Sequence, residues 1–132
     1  MHKEDVHIIE TTLKVRLPDY YKDFLLNYPY KLTRVGLELE SDDIFSPESS
    51  DLLNDPGKLI EVNKDLQDSI QYWENDNIII GIDWCGDFFF LDLSVPLSPV
   101  YYYDHETDDS TVFMDTLELF VDYVYEIFRE MK

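Results

Sequence analysis

The stretch Ile78-Ile79-Ile80-Gly81-Ile82-Asp83-Trp84-Cys85-Gly86-Asp87-Phe88-Phe89-Phe90-Leu91-Asp92-Leu93 decides the fold. Ile78 to Ile82 is β-branched apart from Gly81, and Phe88 to Leu93 is rich in aromatics, so each run reads as a strand. Asp83 to Asp87 lies between them, with Gly86 available for a positive φ, and the whole reads as a β-hairpin. After Ser94-Val95-Pro96-Leu97-Ser98-Pro99 the chain offers a third strand, Val100 to Tyr103, then a loop, Asp104 to Ser110, and a fourth strand, Thr111 to Phe113. Four strands joined by short connections predict an antiparallel meander.

Helices flank this sheet on both sides in the sequence. Val6, Ile9 and Leu13 keep helical spacing behind Glu4 and Asp5, acids that suit the positive end of a helix dipole. Leu17-Pro18 restarts the chain, with Pro18 suited to a first helical turn, and Tyr21, Phe24, Leu25 and Tyr28 follow at i, i+3, i+4 and i+7 until Pro29. Val35, Leu37 and Leu39 alternate with polar residues as a strand would, and residues 41–56 read as a loop anchored by Ile44-Phe45 and Leu52-Leu53. Asp55-Pro56 opens a third helix that carries Leu59, Val62, Leu66, Ile70 and Trp73. In the last helix Asp115 is the expected cap and Glu118 its capping-box partner, ahead of the stripe Leu117, Phe120, Val121, Val124, Ile127 and Phe128. The expected class is α+β: an antiparallel meander packed with N-terminal and C-terminal helices, in one domain spanning residues 1–132.

Charge narrows the functions available. Of the net charge of -19, most falls between Asp65 and Phe128, a window with fifteen Asp and Glu and no Lys or Arg. Its apolar runs set it apart from disordered acidic tails, which lack the side chains of a core. Phosphate binding requires clustered cations, so direct contact with nucleic acid or an anionic membrane is disfavoured, whereas encounter with a basic protein would be accelerated. The single Cys85 excludes an intramolecular disulfide and a multi-cysteine zinc site. The first residues lack the layout of a signal peptide, and no apolar run approaches the length of a transmembrane helix, so the expected location is the cytoplasm.

Several of these segments, in this order, resemble the SUKH superfamily, the Smi/Knr-like domains. Leu17-Pro18-Asp19-Tyr20-Tyr21-Lys22-Asp23-Phe24-Leu25 is similar to the approach to that family's second helix, with one extra residue at the tyrosine pair. Ile80 to Leu93, with Gly81, Gly86 and Asp87, is similar to its hairpin; Pro99 to Glu106 resembles the following strand and acidic turn. Asn27 to Leu32 departs from the family, which often has a glycine-rich turn there. The resemblance implies a protein-binding α+β domain. Many bacterial relatives are immunity proteins that neutralise a toxin, eukaryotic ones act in cell-wall regulation, and the family brings no catalytic residues or cofactor.

The candidate partner-binding residues are Asp83 and Trp84 at the hairpin tip, Asp104, Glu106, Asp108 and Asp109 in the next turn, and Glu118, Asp122 and Glu126 on the last helix. Like charges four residues apart on a helix cost a few tenths of a kcal/mol per pair, roughly, so packing offsets that repulsion or a partner uses it. Asp87 favours a structural role, accepting hydrogen bonds from turn amides, and Trp84 serves equally as core cover or as an interface anchor. For residues 104–109 a solvated loop competes evenly with a binding loop. A calcium frame starting at Asp104 would need glycine sixth and glutamate twelfth but meets Asp109 and Asp115, so no metal is expected. A thiol nucleophile at Cys85 is disfavoured by its acidic surroundings, which raise a thiol pKa. The leading expectation is a non-enzymatic immunity protein whose acidic turns and helical stripe present one face to a basic toxin. The alternatives are a regulatory domain with a cellular client and, from another class, a small hydrolase or metal-dependent enzyme that uses the acidic cluster.

Overall fold

A computed structural model describes residues 1–28, 53, 55–69, 76–82 and 87–130, with backbone only for 69 and 127–130. The expected strand at 35–39, the loops 29–34 and 41–52, the end of the third helix beyond 69 and the hairpin tip 83–86 lie outside the described residues.

Helix α1, Lys3–Leu13, buries Val6, Ile9 and Leu13, the apolar stripe read from its spacing. The N–H of His2 donates to the Asp5 carboxylate at 2.9 Å, satisfying a donor that the first turn leaves free. Lys14 ends the helix in the left-handed region at φ 57°, and the Val15 N–H donates back to the Glu10 carbonyl. The Glu10 carboxylate then accepts the Leu17 N–H at 2.8 Å and fixes the turn into Leu17, which is fully buried. Pro18 sits one position before the first helical turn, as the N-cap of α2, Asp19–Leu26, and its carbonyl accepts from Tyr21 and Lys22. Tyr21 and Leu25 face inward, with Phe24 partly buried beside the Tyr21 ring.

Helix α3, Pro56–Ser69, starts as its cap predicts: the Asp55 carboxylate accepts the Lys58 N–H at 2.8 Å. Asn63 is buried on this helix. Its amide oxygen accepts the Ile79 N–H at 2.7 Å while its nitrogen donates to the carbonyls of Ile79 (3.1 Å) and Leu59 (2.8 Å). One side chain thereby pairs both backbone groups of Ile79 on β1, the edge of the four described strands, where unpaired buried groups would carry a desolvation cost.

The sheet is a four-stranded antiparallel meander in the order β1 (Asn77–Ile82), β2 (Phe88–Asp92), β3 (Val100–Asp104), β4 (Asp109–Met114). A bulge makes Ile80 the extra residue between the pairs Ile79–Phe90 and Gly81–Phe89, and its carbonyl takes the Leu53 N–H instead. The fourth strand is longer than its apolar run predicts, because Asp109 and Ser110 pair through their backbone with Asp104 and Tyr103 despite their polar side chains. Cross-strand aromatics line both faces. Phe88 stacks on Tyr103 and Phe90 on Tyr101 on one face, while Phe89, Tyr102 and Phe113 share the other.

Helix α4, Leu117–Glu130, closes the Phe89 face. Phe120 packs against Phe89 with ring centroids 4.6 Å apart and against Phe113 at 5.9 Å; Tyr123 adds an edge contact to Phe113. Such pairs contribute about 0.5–1.5 kcal/mol each beyond the area they bury. The cap differs from the expected Asp115 with Glu118: the Thr116 hydroxyl accepts the Leu119 N–H at 3.1 Å. Phe113 is the extra residue of a second bulge, which carries the sheet on to Met114 and starts the helix one residue later than the capping box required.

Candidate functional site

The turn between β3 and β4 is built from its own carboxylates. Asp104 pairs with Asp109, and the four residues between them close with the Asp108 N–H donating to the Asp104 carbonyl at 2.9 Å. Asp108 adopts φ 57°, a conformation that aspartate tolerates better than most residues. Its carboxylate accepts a hydrogen bond from the Tyr103 hydroxyl, which pushes that hydroxyl's pKa up to about 12. The Asp104 side chain accepts the Glu106 N–H at 2.9 Å. Asp104 and Asp108 thus shape the turn, and Glu106 and Asp109 are exposed on it.

Asp87 fastens this turn to the neighbouring hairpin. Buried just ahead of β2, it accepts the Tyr102 hydroxyl on one oxygen; the other receives the His105 N–H at 3.0 Å and meets the His105 Nδ1. The Tyr102 hydrogen bond is the main reason that its carboxyl titrates below the usual range, with the His105 amide and ring adding to it. The His105 imidazole is raised above its ordinary value, chiefly by its hydrogen bond to Asp87, with Glu106 and Asp104 reinforcing the shift. Neither Tyr102 nor His105 was singled out as a functional position from sequence. Their pairing with Asp87 crosses 15 residues for Tyr102 and 18 for His105 and depends on the strand register.

The same corner holds the one cluster of potential metal ligands among the described residues: Asp87, Asp104 and His105 bring one ligand atom each within 4.8 Å of one another. The oxygens of Asp87 already take a hydroxyl, an amide and an imidazole. A cation there would have to displace the imidazole proton and the tyrosine hydroxyl, so the arrangement works as a hydrogen-bonded brace for the turn.

The remaining expected residues separate. Asp83, Trp84 and Gly86 lie outside the described residues, and Gly81 is buried opposite Phe89. Glu118, Asp122 and Glu126 are exposed on α4. Glu118 and Asp122 border a groove together with Ser98, which precedes β3, whereas Asp104 ends that strand. Five residues of strand span about 16 Å, so the acidic turn and the start of the acidic stripe stand at opposite ends of the sheet. The expectation of one shared acidic face gives way to two acidic surfaces, because alternate connections of a meander fall at alternate ends.

A four-stranded meander with its edge capped by a buried asparagine and its aromatic face closed by a C-terminal helix defines an α+β domain. No helix among the described residues is long and apolar enough to cross a membrane. The chain belongs to the SUKH group of families: residues 3–121 match the family model SUKH_6, described as SMI1-KNR4 cell-wall. Searches of curated proteins and of solved structures return no match. Domains of this group are protein-interaction domains, in keeping with toxin-immunity or Smi/Knr-like roles.

Proposed function

We propose that this protein is a cytoplasmic, non-catalytic immunity protein that binds a basic toxin domain and blocks the toxin's access to its nucleic-acid substrate. The observation that carries the reading is the braced turn of β3 and β4, which holds Glu106 and Asp109 in solvent within a region of sequence that has no lysine or arginine. A turn fixed at both ends loses little freedom on binding, and its carboxylates would occupy cationic positions that otherwise hold phosphates. Long-range attraction between such surfaces raises association rates by roughly 10- to 1,000-fold at low salt.

The test uses the protein together with the product of the neighbouring gene. Glu106→Gln with Asp109→Asn should slow association several-fold and flatten its dependence on salt, because both carboxylates are exposed and neither side chain accepts one of the brace's hydrogen bonds. Association rates that match the wild type across a salt series would remove the turn from the mechanism. A regulatory domain with a cellular client is the second reading, favoured by the cell-wall description of the matching family. A solitary locus, with no toxin gene beside it, would select that reading.

A further inference from the structure

At the end of the sheet away from the braced turn, α2, the connection between β2 and β3, and the first turns of α4 enclose a groove of about 750 Å³. Phe24, Leu97 and Val121 supply apolar lining, and Asp23, Glu118 and Asp122 supply carboxylates. No lysine or arginine lines it among the described residues; Lys22, next to Asp23 in sequence, is drawn toward Asp19 at 3.9 Å.

Leu97 is the informative residue. It is 75% exposed, yet the chain beside it is pinned. The buried Ser98 donates its N–H to the Tyr20 hydroxyl at 3.3 Å, accepts the Asp92 N–H at 2.9 Å and donates its hydroxyl to the Pro99 carbonyl at 2.7 Å. A leucine carried on a tethered connection stays in water at a cost of apolar exposure that no described residue relieves. Asp23 and Glu118, both exposed, place negative charge on either side of that apolar lining, which suits an occupant carrying cations.

We propose that this groove is a second docking site, which takes a protein segment carrying one large apolar side chain flanked by lysine or arginine. The apolar side chain rests against Leu97, Phe24 and Val121, and the flanking cations meet Asp23, Glu118 and Asp122. The proposal rests on the reading of the protein as a binder of basic proteins only for the class of its occupant; the groove's own lining carries the rest.

The probe is an acetylated, amidated nine-residue peptide with leucine at its centre and lysines on both sides, followed by amide NMR shifts of the isotope-labelled protein. The comparison peptide has serine in place of leucine. Saturable shifts at Phe24, Leu97 and Val121 are expected, with affinity at least fivefold weaker for the serine peptide and for Leu97→Ser, an exposed position where the fold is spared. Asp23→Asn with Glu118→Gln should weaken binding as well, whereas Glu106→Gln with Asp109→Asn should leave it unchanged. Shifts confined to residues 104–109, equal binding of the two peptides, or no shifts at all would overturn the groove proposal. Turn variants that still slow association with the toxin in that event would leave the proposed function standing. The reverse pattern would overturn the turn and keep the groove.

Discussion

Replacing Asp87 with alanine removes the acceptor that joins the start of β2 to the turn between β3 and β4. Three donors lose their partner: the Tyr102 hydroxyl, the His105 N–H and the His105 ring. The imidazole is 50% exposed and returns to water, so it is left out of the sum. The other two are partly buried and bonded to a carboxylate, and at roughly 1.5 kcal/mol each, the low end for charge-assisted bonds, they give about 3 kcal/mol. Urea denaturation followed by tryptophan fluorescence and circular dichroism should register that loss at pH 5. The pH is chosen from the shifts. The carboxyl of Asp87 lies below its ordinary 3.8, so its stabilisation is complete above pH 3.8 and is lost as pH falls through the folded value. His105 lies above its ordinary 6.5, so its stabilisation is complete below pH 6.5 and is lost as pH rises through the folded value. Both contributions are therefore fully present between pH 3.8 and 6.5. Asp87→Ala should lower stability most in that window and flatten both flanks of the wild-type pH profile. A loss under 1 kcal/mol at pH 5, or a variant with unchanged flanks, would refute the brace.

Three further outcomes follow from buried polar groups and caps. Asn63→Ala strips the Ile79 N–H and C=O of their partner at a buried edge; at roughly 1–3 kcal/mol per orphaned group the variant should lose about 2–6 kcal/mol by urea titration, and a loss below 1 kcal/mol would show that water replaces the amide. Tyr21 is fully buried and its hydroxyl finds no hydrogen-bond partner among the described residues, so Tyr21→Phe should hold or raise stability, by up to about 1 kcal/mol in thermal unfolding; a clear drop would reveal a partner. Thr116→Ala should cost about 1 kcal/mol through the lost cap of α4, whereas Asp115→Ala should cost less, and the opposite ranking would return the cap to Asp115.

What was legible in the sequence was whatever repeats locally. The β-branched and aromatic runs gave the order and type of all four strands, and apolar spacing gave the buried faces of α1, α2 and α4. Strand ends were less legible, since Asp109 and Ser110 pair through backbone groups that are indifferent to side-chain polarity. The start of α4 turned on a bulge at Phe113, and two good capping residues, Asp115 and Thr116, stood side by side. Asn63 carried a signal that went unread: an amide falling four residues after Leu59, on the apolar face of a helix, needs a buried partner, and the backbone of Ile79 in β1 supplies it. The Asp87 brace could not be read, because it depends on the start of β2 meeting the β3–β4 turn at one end of the sheet in a particular register. The separation of the acidic turn from the groove was readable in principle. A meander returns its fourth strand to the end where the second one finished, and the helix that follows must begin there.

That separation decides how the negative charge acts. About 16 Å is roughly two Debye lengths at physiological ionic strength, so carboxylates of the turn and of the groove scarcely feel one another through solvent there. At low salt the screening length exceeds the gap, and the two surfaces merge into one long-range field that draws a cationic protein from any side. Orientation must then come from short-range features, and the two ends differ in kind. The turn offers braced carboxylates, whereas the groove offers leucine, phenylalanine and valine beside its acids. A partner with a flat cationic patch would be oriented by the turn and one with a protruding apolar side chain by the groove. On the proposed reading, net charge would set how fast a basic protein arrives, and the unequal ends of the sheet would set which one stays.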